Sequence, residues 1–129
     1  MRLYKKEYIF ICDTSFLLAL VEKKIFDQLL EKYLPFKLLV PQSVMEELDR
    51  ISRAGGRRLK VAVLKRIMET EKNFFEVIPS VMRRADEDVI KIALDINGIV
   101  ATADREVRRK ASEMGLKTLF IRDSELYIN

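Results

Sequence analysis

The 129-residue chain contains no histidine, no tryptophan and a single cysteine, Cys12. The absence of histidine excludes Ser-His and Cys-His catalysis, histidine acid–base pairs and the usual zinc sites. One cysteine permits neither an intrachain disulfide nor a cysteine metal cluster, and we expect it to pack as a buried strand residue. Any hydrolysis by this chain must therefore depend on carboxylates, hydroxyls, lysines or a hard metal ion.

Long apolar runs are also missing from the sequence. No uncharged stretch approaches the ~18 residues that a membrane span requires, and the apolar run Tyr8–Cys12 is too short for a signal peptide. We therefore expect a cytoplasmic protein without membrane association. Hydrophobic residues still make up 49% of the chain, and its length predicts a single domain over residues 1–129.

The charge balance is modestly basic, with 24 Lys and Arg against 20 Asp and Glu. This excess alone is typical of a solvated surface, but several of the basic residues are clustered in the sequence. Such clusters suit a polyanion, because each phosphate contact releases counterions. The candidate RNA-binding residues are Arg57, Arg58, Arg105, Arg108 and Arg109.

Strand-like and helix-like segments alternate along the chain. Strands are predicted at residues 8–12, 37–40, 74–78, 99–102 and 117–121, with helical segments between them. This alternation predicts an α/β fold with a mainly parallel sheet, flanked by helices on both faces and with the first strand central. Residues 125–129 could add an edge strand or a dimer contact. Open α/β sheets carry their sites at the carboxyl ends of the strands.

Two aspartates follow predicted strands. Asp13 comes directly after the first strand, and Asp104 comes shortly after Thr102. Each could simply cap the helix that follows it. Two carboxylates at two strand ends nevertheless indicate a site more strongly than either does alone.

The helix that begins near Pro41 directs one glutamate inward. At about 100° per residue, Glu47 lies beside the apolar stripe that contains Val44 and Leu48, whereas Glu46 faces solvent. A carboxylate at the edge of a buried stripe requires a cation or hydrogen bonds to compensate it. Glu47 is therefore a candidate site residue.

The helix from residue 86 presents a similar choice between carboxylates. Val89, Ile90 and Ala93 define its inward face, and Asp86 is in line with them. Asp88 is predicted to point away from that face. We therefore favour Asp86 as the third site acid and expect Asp88 to be the lesser candidate.

These inferences bring four carboxylates to one end of the sheet: Asp13, Glu47, Asp86 and Asp104. Without a cation, their mutual repulsion would raise their pKa values. Mg²⁺ or Mn²⁺ would resolve this, because hard divalent ions take oxygen ligands. Acid clusters that hold such ions commonly hydrolyse phosphodiesters through an activated water.

Four segments of the sequence, at residues 11–17, 40–48, 85–90 and 99–104, resemble the PIN-domain family in their order and in the spacing of their acids. The resemblance implies a metal-dependent endoribonuclease that prefers single-stranded RNA, with the four acids as catalytic residues and metal ligands. Thr102, or Thr14 and Ser15, would supply the hydroxyl that orients a carboxylate or substrate.

The resemblance also has implications for the branch of the family and for the binding partners of the chain. Residues 104–122 look closest to a branch that processes rRNA, and less like the toxins of toxin–antitoxin pairs. The resemblance implies a homodimer in many members, and an antitoxin or a ribosome-assembly factor would be the protein partner. The resemblance also allows structured RNA as a substrate.

Other α/β enzymes fit the sequence less well. An aspartyl phosphatase normally has a second Asp where Ser15 stands, and a receiver domain needs an acid at Cys12. No glycine-rich loop follows a strand, which excludes a P-loop or Rossmann site. The remaining alternative is a catalytically silent RNA-binding or assembly factor with the same fold.

Overall fold

The computed structural model describes residues 6–129. Its strands are β1 (Tyr8–Cys12), β2 (Phe36–Pro41), β3 (Phe75–Ile78), β4 (Ile99–Thr102), β5 (Thr118–Arg122) and β6 (Glu125–Ile128). Its helices are α1 (Thr14–Ala19), α2 (Lys23–Lys32), α3 (Gln42–Arg53), α4 (Arg58–Thr70), α5 (Ala85–Ile96) and α6 (Arg105–Glu113). None of the helices within these residues is long and apolar enough to cross a membrane.

The six strands form one sheet in the order β3-β2-β1-β4-β5-β6. Every neighbouring pair is parallel except β5 and β6, which are antiparallel. The predicted α/β fold with a mainly parallel sheet is confirmed. The strand β1 lies centrally between β2 and β4, and the tail of the chain forms the edge strand β6.

The central strand is buried on both faces of the sheet. Phe10 and Ile11 are adjacent, so their side chains point to opposite faces, and both are fully buried. Helices therefore cover both faces at β1. Cys12 is also fully buried within the core, where we expected a strand residue.

The helix α5 ends at an asparagine with a positive φ angle. Asn97, with φ of 56°, takes the left-handed conformation directly after the helix. Gly98 comes next, and a Cβ atom there would collide with the side chain of Ile11 on β1. Gly98 thus lets the segment that enters β4 approach the central strand.

The chain reverses its direction across the sheet beside β1. It proceeds from β1 to β2 and β3 on one side, then returns to β4 and β5 on the other. In open α/β sheets such a switch point leaves a crevice at the carboxyl ends of the strands. That crevice lies between β1 and β4.

Candidate active site

A cleft of about 670 Å³ opens at this switch point. All four predicted acids, Asp13, Glu47, Asp86 and Asp104, line it. They come from the carboxyl ends of β1 and β4, from the second turn of α3 and from the first turn of α5. The structure therefore brings together the four carboxylates that the sequence singled out.

Asp13 lies at the base of the cleft and is only 5% exposed. Its Oδ1 accepts hydrogen bonds from the Phe16 N–H and the Ser15 hydroxyl, both at 2.8 Å, and its Oδ2 accepts from the Thr102 hydroxyl. Asp13 thus caps α1 and also faces the cleft. Burial raises the pKa of this carboxyl, and the negative charge of Asp104 adds to the effect, although the three hydrogen bonds oppose it.

Two hydroxyls connect the β1–α1 turn to the β4–α6 turn. Ser15 Oγ accepts from the Ala103 N–H at 2.9 Å, and Thr102 Oγ1 accepts from the Asp104 N–H at 2.9 Å. Because both hydroxyls accept from the backbone, each can direct its own hydrogen to Asp13. The side chains of Ser15 and Thr102 therefore hold both oxygens of the Asp13 carboxylate in place.

Glu47 and Asp104 are held by separate donors. The Thr14 hydroxyl donates to Glu47 Oε1, so α1 supplies hydroxyls to two different carboxylates. Asp104 Oδ1 caps α6 by accepting from the Glu106 N–H at 2.8 Å. Glu46 is exposed, as predicted, and lies at the rim of the cleft.

The two aspartates of α5 have different environments. Asp86 lines the cleft, and its side chain is 33% exposed. Its Oδ1 lies 3.6 Å from Arg84 Nε. The prediction that Asp88 points toward solvent is wrong, because Asp88 is fully buried. The buried face of α5 is wider than predicted: it also includes Ile92, at 6% exposure, which brings Asp88 to its edge.

The buried Asp88 carboxylate binds the loop before α5 and does not line the cleft. Its Oδ2 accepts from the Ser43 hydroxyl at 2.7 Å, and its Oδ1 accepts from the N–H groups of Val81 and Met82, each at 2.8 Å. Burial raises the pKa of Asp88, but the hydrogen bonds from these groups and from Ser80 outweigh it and lower the pKa overall. Asp88 therefore has a structural role.

Basic side chains surround the mouth of the cleft. All of them are exposed, and they are Arg50, Arg57, Arg83, Arg84 and Lys110. Of these basic rim residues, only Arg57 was among the candidate RNA-binding residues. Arg83 and Arg84 just before Asp86, and Lys110 directly after Arg109, lie in basic clusters of the sequence, whereas Arg50 needed the tertiary structure.

The other predicted RNA-binding arginines do not line the cleft. Arg109 forms salt bridges with Glu106 and Glu113 on its own helix. Arg108 lies over the ring of Phe120, with 3.5 Å between the guanidinium carbon and the ring centroid. Arg58 and Arg105 are exposed but lie outside this cleft.

The potential ligand atoms in the cleft are carboxylate oxygens, and hard divalent cations prefer such oxygen ligands. Within residues 6–129, Glu47, Asp86 and Asp104 each retain one oxygen that accepts no hydrogen bond from the protein. No three acids of the described chain are close enough together to form a metal site as they stand. Side-chain rotation would therefore have to accompany metal binding.

The fold and the cleft together define a class of protein: an α/β domain with a carboxylate cleft at its switch point and an arginine-rich rim suited to a polyanion. The model of a family described as DUF3368, PIN domain, matches residues 9–119. The chain belongs to the PIN-domain family.

The relatives agree with this assignment. The chain is 25% identical over 124 residues to ribonuclease VapC4 of Methanocaldococcus jannaschii, covering 93% of this chain and 95% of that protein. The family and this relative support a nuclease. They do not identify the rRNA-processing branch, which stays a prediction.

Solved structures share the fold. A domain of a functionally unknown protein from Methanocaldococcus jannaschii superposes with a TM-score of 0.70 at 17% identity, covering 95% of this chain and 96% of that one. PAE2754 from Pyrobaculum aerophilum gives 0.53 at 22% identity over 80% and 84%. A PilT N-terminus domain protein, SSO1118 from Sulfolobus solfataricus, gives 0.52 at 13% identity over 90% and 89%.

Proposed function

We propose that the protein is a metal-dependent endoribonuclease that cleaves single-stranded RNA in the acidic cleft. The observation that carries this proposal is the position of Asp13. Its carboxylate is buried at the base of the cleft, and both of its oxygens are oriented by hydroxyls from two different turns. A carboxylate oriented in this way is preorganised for its task.

The proposed roles divide between the floor and the rim of the cleft. Asp13, Glu47, Asp86 and Asp104 would hold Mg²⁺ or Mn²⁺, which when bound supplies an activated water and neutralises developing charge on the phosphate. Thr14, Ser15 and Thr102 orient the carboxylates through their hydroxyls. The basic rim residues attract the RNA backbone by their charge.

The test is cleavage of end-labelled single-stranded RNA with Mn²⁺, with Mg²⁺ and with EDTA. We expect cleavage only with metal, and a loss of about 100-fold or more in Asp13→Asn. Asp95→Asn is the matched control, because Asp95 is an exposed aspartate that pairs with Lys91 on the outer part of α5. Equal cleavage by the Asp13→Asn and Asp95→Asn variants would contradict the proposal.

A catalytically silent RNA-binding factor is the second candidate. The spacing of the acids favours it, because no three of them in the described chain are close enough to hold a metal as they stand. Such a protein would bind single-stranded RNA through the basic rim residues and leave it intact with either metal. The same labelled RNA, followed by native and denaturing gels, separates binding from cleavage.

The cellular role that we propose is RNA processing or quality control in the cytoplasm, with rRNA as the first substrate to test. The resemblance offers a second role, that of a toxin held by an antitoxin. Expression in a bacterial host distinguishes the roles. A toxin arrests growth and Asp13→Asn does not, whereas a processing enzyme leaves growth intact and cleaves precursor rRNA at defined positions. The homodimer implied by the resemblance also stays a prediction, and sedimentation checks it.

A further inference from the structure

A row of residues leads from the cleft to the edge of the sheet. Thr102, which donates a hydrogen bond to Asp13, is paired in register with Phe120 on the neighbouring strand β5. Phe120 is in turn paired with Tyr127 on β6. Neighbouring strands lie about 4.8 Å apart, so Tyr127 is roughly 10 Å from Thr102 along this row. The sheet therefore continues from the cleft to its β6 edge without a break.

The outer half of this row is aromatic. The rings of Phe120 and Tyr127 stack with 5.7 Å between centroids and an interplanar angle of 29°. Arg108 lies over Phe120, which is only 7% exposed, whereas Tyr127 is 45% exposed. Lys32 Nζ lies 5.8 Å from the Tyr127 centroid, and the exposed part of the Tyr127 ring is next to a ring that is already covered. We call Arg108, Phe120, Arg122 and Tyr127 the β5–β6 platform.

The platform and the surface between it and the cleft carry positive charge. Arg122 lies 5.7 Å from the Phe120 centroid, and Arg105 lines the small hollow between Thr102 and Phe120. Within residues 6–129, neither arginine forms a salt bridge. Glu125, which stands opposite Arg122, is paired with Lys32 at 3.0 Å. Its charge is therefore already balanced.

We propose that the β5–β6 platform binds the part of a single-stranded RNA that extends out of the cleft. A base would stack on Tyr127, and Arg105 and Arg122 would contact the backbone phosphates. Aromatic side chains that alternate with basic ones are the usual means of holding a single strand, because every base has a stacking face. This inference rests on the proposed function, and it specifies where the substrate lies beyond the acids.

The test compares two RNA lengths in an Asp13→Asn background, which prevents cleavage. Fluorescence anisotropy measures the affinity for a uridine trinucleotide, which fills the cleft alone, and for a uridine dodecanucleotide, which also reaches the platform. We expect Tyr127→Ala to weaken binding of the dodecanucleotide roughly 5- to 150-fold and to leave the trinucleotide unchanged. Tyr127→Phe should retain full affinity, because its ring is kept.

Two further variants complete the test: one is a matched tyrosine control for nonspecific effects, and the other tests the phosphate contact. Tyr8→Ala removes a tyrosine of similar exposure, 38%, from the amino end of the central strand β1, and it should bind both RNAs like the parent. Arg122→Gln changes an exposed side chain, and it should lower the salt dependence of dodecanucleotide binding by about 0.7 in the slope of log K against log salt.

The outcomes separate the two proposals. If the parent binds neither RNA, both the proposed function and the platform are overturned. If the wild type cleaves RNA while Tyr127→Ala and Arg122→Gln bind the dodecanucleotide like the parent, only the platform is overturned. An equal loss of both lengths in Tyr127→Ala would also overturn it, because the tyrosine would then support the cleft itself.

Discussion

Thr102 donates its hydroxyl hydrogen to Asp13 Oδ2 and accepts a hydrogen bond from the backbone N–H of Asp104. One side chain at the end of β4 therefore orients the carboxylate at the end of β1 and also the turn that carries a second carboxylate. This relationship makes the geometry of the cleft depend on a hydroxyl group that need not touch the substrate.

Replacing that hydroxyl tests its positioning role. Thr102→Val keeps the shape of the side chain but removes the donor to Asp13, and we expect RNA cleavage to fall about 10- to 100-fold. The lost hydrogen bond to a buried carboxylate should also lower the free energy of unfolding by about 1.5–3 kcal/mol. Single-turnover cleavage and urea denaturation measure the two effects.

Thr102→Ser is the control for this change, because it retains the hydroxyl. It should recover most of the cleavage rate. If Thr102→Val and Thr102→Ser cleave equally well, the hydroxyl does not orient Asp13 in the way described.

Asp86 and Asp88 should respond differently to the same substitution. Asp86→Asn removes a charge from the cleft, and we expect it to abolish cleavage with little change in stability. Asp88→Asn should instead lower the free energy of unfolding by about 1–3 kcal/mol, because the amide cannot accept from all three of its present donor groups. Its residual activity should follow the folded fraction. Loss of cleavage in a fully folded Asp88→Asn protein would contradict this division.

The pH dependence of stability should report on Asp88. Its pKa in the folded protein is lowered from 3.8, so its contribution is fully present above the unfolded value and is lost as the pH falls through the folded one. The difference in unfolding free energy between wild type and Asp88→Asn should therefore be largest near neutral pH and shrink below pH 3.8. Urea titrations across this range measure it, and a constant difference would show that the Asp88 charge is not involved.

The basic rim residues should control the salt dependence of RNA binding. Arg57→Gln and Arg83→Gln should each weaken binding and reduce the slope of log K against log salt by about 0.7 for each phosphate that the variant no longer neutralises. Arg109→Gln changes the net charge equally, but Arg109 is already paired with two glutamates. It should leave the slope near that of wild type. An equal effect of all three substitutions would indicate nonspecific attraction by net charge.

Much of the fold was predictable because β1 is an unbroken apolar run. A strand buried on both faces must be central in a parallel sheet, and Asp13 follows it directly, so the base of the cleft could be located from sequence. Asp104 and Glu47 were predictable for similar reasons: one follows a strand, and the other borders an inward stripe.

Asp88 could not be predicted in the same way. The inward face was drawn through Val89, Ile90 and Ala93, and it omitted the buried Ile92. Helical spacing also contains no information on the N–H groups of Val81 and Met82, which compensate the buried charge. The stacking of Arg108 on Phe120 likewise depends on how α6 packs on β5, which no local pattern specifies.

The most direct test of the central claim, that the cleft binds a divalent cation through Asp13, is thermal unfolding in EDTA and in millimolar Mn²⁺. We predict that Mn²⁺ raises the melting temperature of wild type and of the Asp95→Asn control, because a ligand that binds only the folded state stabilises it by about 2.7 kcal/mol at 100 times its dissociation constant. Asp13→Asn should melt in EDTA at or above the wild-type temperature, since burial of the ionised Asp13 carboxylate is unfavourable and the amide oxygen still caps α1. Its melting temperature should not respond to Mn²⁺. A wild-type protein that ignores Mn²⁺, together with an Asp13→Asn variant that is destabilised in EDTA, would show that Asp13 is a helix cap alone.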